Sequence, residues 1–449
     1  MMPHSIGRLG RRGAFALLAL ALVATSCSRS LPTAPTAPRV GRGTVDEFAT
    51  AGLENQVVVT LAPGADASSL ATQYGAVLVN SELDERTAAL RPISGLTASG
   101  LMDALAADGR VETAEPNGWL EPAEARQQSF AFDDGHGAPQ TFLEQPAAAQ
   151  LHLDQAHDVA TGLGVKVAII DTGADLQHPM LRRSIVGGWD FVDNDANPTD
   201  QKDFIDNNRN GVVDEAFGHG THVAGLVHLV APESQLLIVR VLDADGRGDI
   251  VNVAAGVRWA VEQGAKVINL SLGSTKNSDA LQNVLEDAAL AGVTVVAAAG
   301  NQAAPSVDFP GRSSKVIGVA AVDADDAGAP FSSFDHSNVA LSAPGVGIRS
   351  TFPGGGFKLW TGTSMSSPFV TGAAALLAEI HPAWSLEDMT ARLQSTCNAI
   401  TSVPVNPDPS KQAQIRDFGS GALDVGAALA PDFGTGPNQT PGPETVRPH

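Results

Sequence analysis

Cysteine is almost missing from this chain of 449 residues: there are two, Cys27 and Cys397. Cys27 sits at a candidate processing site, so the mature chain closes no internal disulfide unless Cys27 is retained, and stability has to come from the core and from bound metal. Basic residues are also scarce, 28 Lys and Arg against 49 Asp and Glu, for a formal charge of −21. Such a balance argues against a nucleic-acid or anionic-membrane partner, which calls for basic patches, and suits an exported protein that binds cations. Long apolar runs are lacking too. Ala14 to Ala24, preceded by Arg8, Arg11 and Arg12, is too short to anchor across a bilayer but suits an export signal, so residues 1–27 are read as a signal peptide with no transmembrane segment.

Ala24-Thr-Ser-Cys27 allows either cleavage after a small residue or cleavage before a lipidated Cys27, which leaves a secreted protein and a lipid-anchored cell-envelope protein as two open options. A Pro-rich tether, Leu31 to Arg39 within residues 28–45, would extend as a spacer. The length exceeds one ordinary domain. Residues 46–119 read as βαββαβ: strands at Gln56 to Leu61, Ala76 to Val79, Thr87 to Leu90 and Val111 to Ala114, helices at Asp66 to Tyr74 and Thr97 to Ala107. This small α+β module has no cluster of nucleophiles or metal ligands, so its expected role is binding. Residues 120–145 lose periodicity and read as an exposed, cleavable linker.

From 146 to 430, continuous apolar strands (Val165 to Ile170, Leu236 to Leu242, Ala265 to Leu270, Val293 to Ala299, Val316 to Ala321) alternate with helical patterns. That predicts an α/β domain, a doubly wound, mostly parallel sheet with helices on both faces and ligands at the strand C-terminal ends. Residues 431–449 are Pro/Gly-rich and read as a disordered tail.

Three segments carry chemistry. Leu359 to Ala373 places Ser364 where a tight turn becomes an apolar helix, with Pro368 expected in its first turn. A hydroxyl there can attack a carbonyl if a base takes its proton. Asp171 ends the first apolar strand, followed by Thr172 and Gly173. Gly218-His-Gly-Thr-His-Val-Ala-Gly225 opens another apolar helix. His219 and His222 could share a metal, but no Glu lies between them in the metalloprotease pattern. One imidazole, held by Asp171 and facing Ser364, accounts for all three segments.

The order Asp, His, Ser, with DTG, GHGTHVAG and GTSMSSP around them, resembles the subtilisin-like serine proteases (subtilases). A fourth motif, Val295-Val-Ala-Ala-Ala-Gly-Asn301, strengthens the resemblance, which implies that Asn301 is the second oxyanion donor beside the Ser364 N–H. It further implies a serine endopeptidase acting on protein or peptide substrates through an Asp171-His219-Ser364 triad and an acyl-enzyme. Residues 46–119, closing on Val111-Glu-Thr-Ala-Glu-Pro116, are similar to the family's inhibitory propeptides, so a zymogen held by its own propeptide is expected, working as a monomer. The alternative, a catalytically silent subtilase-like binding protein, is opposed by every motif position being filled.

The resemblance also implies a substrate cleft with Ser271, Leu272 and Gly273 on one wall of the first pocket and Ala298, Ala299 and Gly300 on the other. These small walls, with no acid among them, lead us to expect room for a sizeable apolar side chain and broad cleavage. Two acidic loops are candidates for structural calcium. One holds Asp190, Asp193, Asp195, Asn197 and Thr199. The other holds Asp206, Asn208, Asn210 and Asp214, with Phe217 where a helix-loop-helix site has Glu. A third family site is expected to be missing, because Met180 stands in place of an Asp.

Overall fold

The computed structural model describes residues 53–79, 86–93, 95–126, 129–135, 137–400 and 416–431. The signal segment, Cys27, the tether and the tail beyond Pro431 lie outside the described residues. The N-terminal module runs β1 (Val57–Leu61), α1 (Ala67–Gln73), β2 (Ala76–Leu78), β3 (Thr87–Pro92), α2 (Ala98–Ala106), β4 (Val111–Pro116). Its four strands form an antiparallel sheet in the order β2-β3-β1-β4. Asp66 caps α1 and Thr97 caps α2 through side-chain oxygens, which is where the sequence places both helix starts. Alternation sorts β1: Val57, Val59 and Leu61 pack under α1 and α2, whereas Val58 joins the core of the larger domain.

Beyond it come β5 (Trp119–Leu120), the single turn α3 (Ala123–Arg126) and short helices α4 (Pro139–Leu143), α5 (Pro146–Gln150) and α6 (Leu153–His157). The stretch read as an exposed linker is buried at both ends. Leu120, Glu124 and Phe142 have almost no exposure, because the chain from 119 to 126 lies in a groove of the domain that follows and Phe142 stacks on Phe357.

That domain is organised by β6 (Lys166–Asp171), β7 (Ile185–Asp190), α7 (His219–Val230), β8 (Gln235–Arg240), β9 (Gly248–Asp249), α8 (Ile250–Glu262), β10 (Val267–Leu270), α9 (Asp279–Leu290), β11 (Thr294–Ala298), β12 (Ile317–Val322) and β13 (Leu341–Pro344). A hairpin, β14 (Ile348–Phe352) and β15 (Gly356–Trp360), leads into α10 (Thr363–Ile380), followed by α11 (Leu386–Ser395) and α12 (Val425–Leu429). Seven strands form one parallel sheet in the order β13-β12-β11-β10-β6-β8-β7. Both faces are covered, as unbroken apolar strands require. Along β6, Val167 and Ile169 pack with α7 and α10, while Ala168 and Ile170 pack with α8 and α9.

The small sheet docks on α8 and α9. Glu115, at the end of β4, caps α9 from outside: its Oε1 accepts from the Ser278 hydroxyl at 2.7 Å and the Ala280 N–H at 3.0 Å, and its Oε2 from the Asp279 N–H at 2.9 Å. An anion at a helix N-terminus satisfies donors that the helix itself leaves unpaired.

Candidate active site

Asp171 is the last residue of β6, paired with Arg240 on β8, so its carboxylate stands at the sheet's C-terminal edge. His219 is the first residue of α7. That helix begins at Gly218, which has no side chain to cap it, and Asp200 substitutes: Oδ1 accepts from Gly218 N–H at 3.0 Å and Oδ2 from the Thr221 hydroxyl at 2.8 Å. Burial pushes the Asp200 carboxyl up to about 7 against those donors. Gly220 lets the helix come close, since a Cβ there would lie 2.1 Å from the Gly173 carbonyl and 3.1 Å from the Asp171 Cβ. As a result His219 Nδ1 lies 2.7 Å from Asp171 Oδ1, both fully buried, with Trp360 edge-on to the imidazole at 5.2 Å. His222 takes a different part. Its Nε2 faces the Ile348 and Lys358 carbonyls at 3.1 and 3.2 Å, and burial holds its pKa down to about 3, so it is a neutral tie to the hairpin.

Ser364 is the second residue of α10. Pro368 is inside that helix, four residues on, and not in its first turn. Proline cannot donate to the Ser364 carbonyl, and the Ser271 hydroxyl donates to it instead at 2.9 Å. Asn269 braces this contact, donating to the Ser271 hydroxyl and accepting from Ser367 and Thr371. Asn301 is oriented by Thr363, whose N–H and hydroxyl both donate to its Oδ1, at 3.0 and 2.9 Å.

Ser364, Asn301 and His219 converge on a residue that sequence reasoning passed over. Glu124, with 0% exposure, reaches in from α3. Its Oε1 accepts from Asn301 Nδ2 at 2.8 Å and from the Ser364 N–H at 3.3 Å. Its Oε2 accepts from the Ser364 hydroxyl at 2.5 Å and lies 3.7 Å from His219 Nε2, an ion-pair distance beyond hydrogen-bond reach. Burial disfavours both charges, yet each partner's charge prevails. His219, between Asp171 and Glu124, is raised to about 10, and Glu124, facing His219, Ser364 and Asn301, is held below the usual carboxylate range. Nothing local in Ala123-Glu-Ala-Arg126 announces this contact, because it is made only in space.

The chain carrying Glu124 enters as a strand. Trp119 and Leu120 pair antiparallel with Asp249 and Gly248, and Glu121 exchanges backbone hydrogen bonds with Gly273 at 3.0 and 2.9 Å. Ser271 and Gly273 border this strand, while the Leu272 side chain belongs to the core. Ala298, Ala299 and Gly300 are buried at the end of β11. The pocket between these walls is not free of acid. The Asp308 carboxylate stands between Gly273 and Gly300, where it meets Arg126 Nη2 at 2.6 Å. Asp308 lies in a loop outside both motifs, and only the fold brings it in.

Of the two acidic loops, the first already holds a cation. Arg240 Nη1 lies 2.6 Å from Asp190 Oδ2 and 2.7 Å from Asp193 Oδ2, and Asp195, Asn197 and Thr199 bond within the loop. In the second, Asp206 and Asp214 accept backbone N–H groups, and Asn208 and Asn210 donate to Glu215 Oε1. Glu215 Oε2 and the neighbouring Asp245 Oδ1 are buried without a hydrogen-bond partner. Among the described residues, no group of three or more His, Cys, Asp or Glu side chains is gathered to hold a metal. Nor is any described helix long and apolar enough to cross a membrane.

Both parts of the chain are similar to known proteins. The family model described as the subtilase family, Peptidase S8, matches residues 162–421, and that of the fervidolysin N-terminal prodomain matches residues 49–117. Thermitase of Thermoactinomyces vulgaris is 40% identical over 273 residues, 59% of this chain and 91% of that protein. Subtilisin BL of Lederbergia lenta is 38% identical over 277 residues, 60% of this chain and 91% of that one. Among solved structures, fervidolysin from Fervidobacterium pennivorans, described as a keratinolytic enzyme related to subtilisin, superimposes with a TM-score of 0.66 at 24% identity. That match covers 85% of this chain but 62% of the fervidolysin chain, and it speaks for the fold alone.

Proposed function

We propose that this chain, which belongs to the subtilase family and is a serine endopeptidase with an N-terminal prodomain, works through Asp171, His219, Ser364 and Asn301 and is made as an autoinhibited zymogen. In this reading Ser364 Oγ attacks the peptide carbonyl. His219 takes the hydroxyl proton and returns it to the leaving amine, and Asp171 fixes the imidazole tautomer and supports its positive form. Asn301 Nδ2 and the Ser364 N–H stabilise the oxyanion, and water then hydrolyses the acyl-enzyme by the same route.

One observation carries the reading: two donors, Asn301 Nδ2 and the Ser364 N–H, converge on a single anionic oxygen, while the Ser364 hydroxyl and His219 face its neighbour on the same carboxylate. That is the charge arrangement a tetrahedral intermediate presents. Here the Glu124 carboxylate stands in for it, which supports inhibition by the chain's own N-terminal part. The charged-then-apolar N-terminal segment supports export. The test is a fluorophosphonate probe applied to the self-processed protein. Labelling that disappears in Ser364→Ala is expected; an unlabelled wild type would overturn the reading in favour of a silent binding protein.

A second reading concerns calcium, and the orphaned Glu215 Oε2 and Asp245 Oδ1 favour the loop at 206–215 for it. Asp206, Asn208, Asn210 and Asp214 with these two carboxylates supply the hard oxygen donors calcium takes, and the ion's contribution is to stability.

A further inference from the structure

Resting on the endopeptidase reading above, we infer that the pocket between Ser271–Gly273 and Ala298–Gly300 is a binding site for a basic side chain, with Asp308 as its specificity-determining residue and arginine as the preferred residue before the cleaved bond. Asp308 is part of the pocket's construction. Its N–H donates to the Ala299 carbonyl at 2.9 Å on one wall. The next residue, Phe309, exchanges backbone hydrogen bonds of 2.9 and 2.7 Å with Ser274, immediately past Gly273 on the other. The segment therefore closes the gap between the walls and carries the carboxylate with it.

The two glycines make room for that carboxylate. At Gly300, whose φ is +99°, a Cβ would fall 2.4 Å from Asp308 Oδ2; at Gly273 it would fall 3.0 Å from the Asp308 Cβ. The Asp308 side chain is 5% exposed, and a charge so buried needs a cationic partner. Arg312, the other arginine nearby, spends its guanidinium on Asn277 and on the Thr275 and Val307 carbonyls. The partner is Arg126, which arrives from the chain segment lying in the cleft and meets Asp308 Oδ2 at 2.6 Å. Gln302 Nε2 donates to the same oxygen at 3.1 Å and steadies it.

When the N-terminal segment leaves, Arg126 leaves with it. Asp308 is then a carboxylate without its cation at the floor of a pocket that opens beside Ser364, and an incoming arginine or lysine replaces the lost partner. An apolar side chain would leave the acid buried and unpaired, a penalty that turns a small-walled pocket from permissive to selective.

The experiment compares kcat/KM for two peptide p-nitroanilides that differ only in Arg or Phe before the scissile bond, using enzyme self-processed from the full-length chain. Wild type is expected to favour Arg by about 100-fold or more, in line with losing one partner of a buried charge pair. Asp308→Asn, which keeps shape and the Gln302 contact, is expected to lose most of that preference while still turning over the Phe substrate. Equal turnover of both substrates by wild type, or better turnover of Phe, overturns the inference and leaves the endopeptidase reading standing. Turnover of neither, with no fluorophosphonate labelling of Ser364, overturns the reading on which it rests. Because the wild-type ratio is decisive alone, a poorly folding variant does not blunt the test.

Discussion

Glu124 Oε1 and Oε2 gather Asn301, Ser364 and His219 around one buried carboxylate, so a change of one atom at residue 124 should be felt in the timing of self-cleavage. Glu124→Gln keeps the shape and removes the charge. The expected result is faster self-processing and inhibition by the released N-terminal segment weakened by about 30-fold or more, the scale for unpairing a buried charge. The pH dependence follows from the two shifts. Glu124 is held below its ordinary 4.5, so its contribution to the closed state is present above that value and is lost as pH falls through the lowered one. His219 is raised from 6.5 to about 10, so its contribution is full below 6.5 and fades as pH rises towards 10. Self-cleavage of the wild type should therefore stay slow below about pH 6.5, where His219 is protonated and cannot act as the base, and rise late, toward about 10. In Glu124→Gln the rise should move to lower pH, read from initial rates of prodomain loss. Identical profiles would show that the carboxylate is not the lock.

At the scale of elements, the site depends on where three of them begin or end: the C-terminal tip of β6 and the first turns of α7 and α10. The sequence made these positions legible, because an unbroken apolar strand ending in Asp171 and two helices opening on His219 and Ser364 are local patterns. It was less informative about what supports them. Asp200 caps α7 from a separate loop, and Ser271 accommodates Pro368 from a separate strand end; neither is periodic or adjacent to what it serves. Asp200→Ala removes the only side-chain cap seen on Gly218 N–H among the described contacts. It should cost about 1 to 3 kcal/mol by denaturant unfolding and lower kcat with little change in KM, since α7 carries His219 and not the substrate. A loss confined to KM would show that Asp200 serves the cleft instead.

For the whole molecule, the larger domain supplies the sheet edge and the segment 119–126, just past the N-terminal module, fills it, with the module anchored by Glu115 on α9 and the segment by the β5–β9 pairing. The βαββαβ order and the parallel sheet could be read from periodicity. Three features could not: Glu124 at Ser364, Asp308 between the pocket walls, and Arg240 between Asp190 and Asp193. Each joins residues far apart in the chain through side chains that look ordinary in their own neighbourhoods. Stability should also respond as a whole to calcium through the loop at 206–215. Excess calcium over chelator is expected to raise Tm by roughly 3 to 4 °C, from about 2.7 kcal/mol at a hundredfold excess over Kd, and Glu215→Gln with Asp245→Asn should remove most of the rise. An unchanged Tm in chelator would count against calcium there.

The most direct measurement follows the intact mass of the purified full-length chain over time, wild type beside Ser364→Ala. The wild type is expected to shed its N-terminal module and the variant to stay whole. A Ser364→Ala chain that processes itself as fast as the wild type would contradict self-processing through Ser364.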